Sequence, residues 1–211
     1  MEWIHSHKNK ILIGIIILFH LVGSVGLAIP STKAYFLSLS SYNLLLSFLV
    51  VLIAPGLKRL RFYLFVLFVF LIGYSVELIG VHTHYLFGIY SYGKNLGFKL
   101  SGIPLIIGIN WVVLILVTHS ISLKFLNHNI FTPVLAAIFM VGLDFLIEPV
   151  AIKSDYWSWY GNHIPVFNYV CWFFISLIIH FIYRKIGLTE QNTVYNCIYI
   201  VLVVFFSIQL I

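Results

Sequence analysis

Apolar positions in this chain gather into seven long runs separated by short polar stretches. The runs cover residues 11–29, 35–54, 62–81, 103–121, 131–150, 165–183 and 194–211. Each approaches the roughly 20 residues of helix that cross a bilayer, so the pattern predicts an all-α, polytopic transmembrane helix bundle of about seven spans. Pro30, the Pro55–Gly56 pair, Pro104, Pro133 and Pro165 stand at or near run ends, where a missing N–H costs least. The first run follows Lys8 and Lys10 and is longer than the apolar stretch of a signal peptide, so it reads as an uncleaved helix. Residues 1–211 read as a single integral membrane domain.

Composition strengthens this reading. The chain is 62% hydrophobic and 9% charged, with a mean hydropathy of +1.06, more apolar surface than a soluble globule of this size can bury. A net charge of +6 in a soluble chain would suggest nucleic acid. Here the cations sit between apolar runs, so topology explains them and no nucleic-acid partner is expected.

Eight cations (Lys8, Lys10, Lys58, Arg59, Arg61, Lys124, Arg184, Lys185) fall on one side of the seven-span arrangement. Four (Lys33, Lys94, Lys99, Lys153) fall on the other. The positive-inside rule then puts the N-terminus in the cytoplasm and the C-terminus outside. That arrangement brings the loops after the third and fifth runs to one face, with Glu77 and Glu148 at similar depth. Cys171 and Cys197 both lie inside spans and are not expected to pair.

Six residues are acidic: Glu2, Glu77, Asp144, Glu148, Asp155 and Glu190. Glu77, Asp144 and Glu148 stand within or at the end of apolar runs, where each costs about 2.5–3.5 kcal/mol to insert near a helix centre. Such groups face the bundle interior. Asp144 and Glu148, four residues apart, share one helical face, and two carboxylates so close in a low dielectric are expected to keep one proton. A carboxyl held protonated is what general acid catalysis needs; the plain alternative is polar glue between helices.

The other candidates depend on their company. His82 and His84 beside Glu77, with His163 in the facing loop, do not form the clusters of a membrane metal enzyme, so no metal is expected. His20, His119 and His180 share no pattern and read as structural. Tyr85, Phe87, Tyr90, Tyr92, Trp157, Trp159 and Tyr160 form either an interfacial belt or a site lining. As a lining they would stabilise a cation by about 0.5–2 kcal/mol each. Gly80, Gly88, Gly93, Gly97 and Gly102 let the loop after Glu77 turn tightly. No phosphate loop, nucleophile elbow or CxxC is present, and no cofactor is expected.

Two blocks of sequence resemble the carotenoid 1,2-hydratases, which include the bisanhydrobacterioruberin and gamma-carotene hydratases. The first block carries Glu77-x-x-Gly80-Val81-x-Thr83, Phe87-Gly88-x-Tyr90-x-Tyr92, Leu96-Gly97, Gly102-Ile103-Pro104-Leu105 and Trp111. The second carries Asp144-x-x-x-Glu148-Pro149-Val150-Ala151, Tyr156-Trp157-x-Trp159, Ile164-Pro165-Val166-x-Asn168-Tyr169 and Trp172. The likeness spans about residues 70–175. It departs at His84, where the family pattern has a small residue, usually glycine.

The resemblance implies cofactor-independent hydration of the terminal C1–C2 double bond of an acyclic carotenoid end group to a tertiary alcohol. The Asp144/Glu148 pair would be the acid and Glu77 the group activating water, with the roles exchangeable. Thr83, Phe87, Tyr90, Tyr92, Trp111, Trp157, Trp159 and Asn168 would contact the substrate. The expected partners are a lipid-soluble polyene, membrane lipid and other carotenoid-pathway membrane enzymes, in the cell's inner (plasma) membrane. Two other readings use the same residues: a carotenoid end-group cyclase, which makes the same cation but loses a proton, and a small proton-coupled transporter. No internal repeat of the kind transporters carry is detectable.

Overall fold

The computed structural model describes residues 2–55, 60–188 and 191–211. Gly56, Lys58, Arg59 and Glu190, which entered the proline, charge and acid readings above, lie outside the described residues, as does the side chain of Glu2. Eight helices account for most of the described chain: α1 (Glu2–Ala28), α2 (Pro30–Ser38), α3 (Ser40–Ile53), α4 (Leu60–Thr83), α5 (Leu105–Phe125), α6 (Phe131–Lys153), α7 (Val166–Lys185) and α8 (Thr193–Gln209).

Five of these helices are long and apolar enough to cross a membrane: α1 from His7, α4, α5, α6 and α7. A sixth crossing exists if α2 and α3 pass as one. All seven apolar runs are helical, but two differ from simple spans. The second run is broken, with α2 and α3 meeting at 54° around Leu39. At the break the Ser38 hydroxyl donates back to the Tyr35 carbonyl, the local bond by which serine competes with a helix ladder. The seventh run, α8, has 17 helical residues and is short for a crossing.

α5 is the axis of the bundle. It packs against α3, α4, α6, α7 and α8, and every residue from Trp111 to Ser122 is buried. A helix apolar on all sides belongs at the centre of its bundle. The outer helices carry large exposed apolar residues, among them Phe19, Leu64, Leu71, Phe145 and Ile178. That outward apolar surface suits lipid rather than water.

The loops contain four short strands. β2 (Lys99–Leu100) and β3 (Ile103–Pro104) form a hairpin closed by Ser101 and Gly102, both at positive φ as a two-residue hairpin turn requires. β1 (Tyr90–Tyr92), after α4, pairs antiparallel with β4 (Trp157–Trp159), after α6. This ladder joins the two loops that the span count had placed on one face. Its register is Tyr90 with Trp159, Ser91 with Ser158 and Tyr92 with Trp157.

A candidate active site of two glutamates beneath an aromatic ladder

Strand geometry explains the site's aromatic pattern. Side chains alternate along a strand, so Tyr90 and Tyr92 point to one face of the ladder while Ser91 points away. Trp157 and Trp159 do the same from β4, leaving Ser158 exposed. Four aromatic rings therefore face the bundle. Tyr90 and Trp159 lie 5.0 Å apart between ring centroids, and Tyr92 and Trp157 lie 6.2 Å apart.

Each strand serves a different acid. Glu77 Oε2 accepts the hydroxyls of Tyr90 at 2.6 Å and Tyr92 at 2.7 Å, and its Oε1 accepts the indole N–H of Trp111 at 3.1 Å. Glu148 Oε2 accepts the indole N–H groups of Trp157 at 2.9 Å and Trp159 at 2.7 Å. Its Oε1 accepts the Asn168 amide at 3.1 Å. All six donors are neutral. An ionised carboxylate offers about four lone-pair sites; in each glutamate three are taken, and the open one lies on Oε1.

The three intramembrane acids are 2–4% exposed, so the interior placement expected of them holds. Their parts differ. Glu77 and Glu148 line a small cavity of about 30 Å³ with Phe87, Tyr90, Tyr92, Ile107, Asn110, Trp157, Trp159, Asn168 and Trp172. Asp144 does not line it. It stands one helical turn behind Glu148 and is linked to it by the Asn168 amide, which donates to Asp144 Oδ2 at 3.0 Å as well as to Glu148. The two acids that the sequence places on one helical face are thus joined by an amide.

Close backbone approach seats the supporting rings. Trp111 stacks on Trp172 at 4.2 Å and 5°. It fits only because Gly73 has no side chain, since a Cβ there would lie 2.4 Å from Trp111 Cγ. Phe87, 1% exposed, sits at φ +65° and packs on Tyr90 and Trp172. A buried phenylalanine in the left-handed region is strained and persists only where its surroundings impose it.

Tyr90 and Tyr92 lie in the loop outside the spans. Burial first, and then the adjoining Glu77 carboxylate, raises both phenols above the usual tyrosine value. Both remain protonated donors at neutral pH.

Two of the expected contacts do not line the cavity: Trp111 is fully buried and bonds Glu77 from outside the lining, and Thr83 stands apart from it altogether. Thr83 is exposed, and its hydroxyl donates to the Ile79 carbonyl in the last turn of α4. His82 bonds the Ser101 carbonyl, and His84 and His163 are exposed. Among the described residues no three His, Cys, Asp or Glu side chains converge on a point. Three lining residues were not among the expected contacts: Ile107 and Asn110 on α5, and Trp172 on α7, which entered only as part of the second sequence block. For Asn110 the available signal was a lone amide inside an apolar run.

The small cavity adjoins a second one of about 590 Å³. Ile107, Asn110 and Trp157 line both. The larger is almost wholly apolar, walled by α1, α2, α3 and α8, and its volume lies within the range of small-molecule sites. Phe19, Val22, Tyr42, Leu45 and Leu49 line it and are also exposed on the outer face of the bundle. These exposed liners belong to α1 and α3.

Fold and site together define a multi-pass membrane protein with two neutral-partnered acids next to an apolar chamber. Residues 38–211 match the family described as Carotenoid biosynthesis protein, and the chain belongs to that family. The match takes in α3–α8, and with them both glutamates and the whole ladder, and leaves α1 outside. No curated protein and no solved structure matches the chain.

Proposed function

We propose that this protein hydrates the terminal C1–C2 double bond of an acyclic carotenoid end group, giving a tertiary alcohol. The observation that carries the reading is the small cavity between Glu77 and Glu148. Its 30 Å³ is room for a water molecule beside both glutamates, next to an apolar chamber suited to a polyene tail. A cyclase makes the same cation but must keep water from it, and a water-sized polar space against both acids works against that.

In this mechanism the end group enters through the apolar chamber. Glu148, in its protonated form, transfers H⁺ from Oε1 to C2, and the π electrons form the new C–H bond. The tertiary cation at C1 is held against the faces of Trp157, Trp159 and Tyr90. Water then attacks C1 while Glu77 Oε1 takes its proton. Each turnover moves one proton from Glu148 to Glu77, and return across the small cavity resets the site. Asp144 acts through Asn168, holding the Glu148 side chain in place. We place the protein in the inner membrane with the ladder outside; labelling of the exposed Lys94 by an impermeant reagent in intact cells tests this orientation, and protection of Lys94 would reverse it.

The test is expression in bacteria that accumulate lycopene or gamma-carotene, followed by mass measurement of the extracted pigments. A gain of one water with an unchanged visible spectrum is expected. A new pigment of unchanged mass would replace hydration by cyclisation, and unaltered pigments would remove both.

A further inference from the structure

Asn110 is the least explained polar group near the site. It lies on α5 one turn beyond Ile107 and next to Trp111, the residue that holds Glu77 Oε1. It lines both the polar cavity and the apolar chamber. Its carboxamide has no hydrogen-bond partner among the described residues, although it is half-buried in an otherwise apolar helix. The other amide lining the small cavity, Asn168, bridges two acids, and Asn43, which lines only the chamber, meets His20 at 3.5 Å while its Oδ1 is buried without a partner. An unsatisfied amide in such surroundings is costly, and the cost calls for a partner that arrives with the reaction.

We infer that Asn110 holds the attacking water. The inference rests on the hydration reading and deepens it at the same site. A water in the small cavity needs two to four polar partners. Asn110 and the open Oε1 of Glu77 supply two, on opposite sides of the step. The carboxamide oxygen accepts one water O–H and Glu77 accepts the other, which leaves an oxygen lone pair directed at the cation in the chamber. The lone pair forms the C1–O bond, and the proton released goes to Glu77. The carboxamide N–H₂ then faces the new hydroxyl. Asn110 is a positioning residue here: the bonds that break and form belong to the glutamates, the water and the alkene.

Without a held water the cation still forms but loses its proton again, from C2 or from a neighbouring methyl. This separates Asn110 from the acid experimentally. Membranes containing the full-length protein are supplied with lycopene or gamma-carotene in D₂O, and both the alcohol and the recovered polyene are weighed. Wild type gives alcohol bearing carbon-bound deuterium. For Asn110→Leu, close in size but without polar atoms, alcohol falls at least about tenfold while the recovered polyene gains more deuterium than with wild type. Asn110→Ser, which puts a hydroxyl in place of the carboxamide, recovers part of the alcohol, as a merely structural role would not allow. Undiminished alcohol from Asn110→Leu would overturn the inference. So would joint loss of alcohol and deuterium uptake in both variants. If wild type itself yields neither alcohol nor deuterated polyene, the hydration reading fails and this inference falls with it.

Discussion

Tyr90 and Trp159 are partners across the β1–β4 ladder, 5.0 Å apart between rings, yet they donate to different acids. The phenol holds Glu77 on α4 and the indole holds Glu148 on α6. The ladder is thereby a spacer that sets the distance between two carboxylates on separate helices. A slip of one residue would turn Ser91 and Ser158 inward and the aromatic rings outward.

Replacing either glutamate by glutamine should reduce product at least about a hundredfold, the scale of a lost acid or base. The two variants should differ in stability. The phenols of Tyr90 and Tyr92 can rotate to accept a hydrogen bond from the carboxamide that Glu77→Gln introduces, so this variant should unfold near the wild-type temperature. The indoles at Glu148 cannot accept, so Glu148→Gln forces Asn168 to turn its oxygen toward Asp144, costing about 1–3 kcal/mol. Asp144→Asn should retain far more product than either, because Asp144 does not line the cavity. Thermal unfolding in detergent and pigment mass read both effects. Equal product loss in all three variants would return Asp144 to the reacting set.

Gly73→Ala drives a methyl to 2.4 Å from Trp111 Cγ and must displace the ring that donates to Glu77. Overpacking of this kind costs about 1–3 kcal/mol, and product should fall with it. Gly142→Ala on α6 is the control. A Cβ there meets nothing within 4 Å, so the change should stabilise the helix by up to about 1 kcal/mol. The opposite order of melting temperatures would mean that Trp111 is not seated by Gly73.

Alkaline titration should find Tyr90 and Tyr92 ionising late. Burial and Glu77 raise Tyr90 and Tyr92 above their unfolded value of 10.0. Below that value the folded and unfolded chains bind the same protons at these sites and stability is unaffected. Above it the unfolded chain loses protons that the folded chain keeps, so stability falls by about 1.4 kcal/mol per pH unit for each phenol. Tyr90 and Tyr92 should ionise only as the protein unfolds, and Tyr90→Phe and Tyr92→Phe should remove that late component. Ionisation of both at about pH 10 in folded protein would contradict their burial against Glu77.

His84→Gly should raise the melting temperature. His84 sits at φ +60°, in the left-handed region that glycine enters freely and side chains enter at a cost of about 1–2 kcal/mol. Part of this is offset by glycine's greater freedom when unfolded, leaving about 1 kcal/mol of gain. The side chain is exposed, so product should be unchanged. This φ also explains why the related pattern carries a small residue at the position. A lowered melting temperature would mean that the imidazole makes a contact worth more than the strain.

The placement of Glu77, Asp144 and Glu148 in the interior was legible from the chain, because a carboxylate in an apolar run has nowhere else stable to face. The helical stretches were legible for a related reason. A run near 20 apolar residues has few folded solutions in or out of lipid, and most run ends shift by less than a helical turn in the structure. The exceptions are the starts of α1 and α2 and the end of α5, where polar residues carry the helix beyond the apolar run. Three-residue strands leave too short a pattern to read, so the β1–β4 ladder emerged only where two distant loops met. The break at Leu39 depends on local serine bonding that hydropathy does not register, and the exposure of Thr83 on the helix end it caps. Above all, a sequence states which residues can donate and accept but not which will pair. That Asn168 bridges the acids, that phenols serve one glutamate and indoles the other, and that Asn110 is left with a free amide where two cavities meet are choices made by packing.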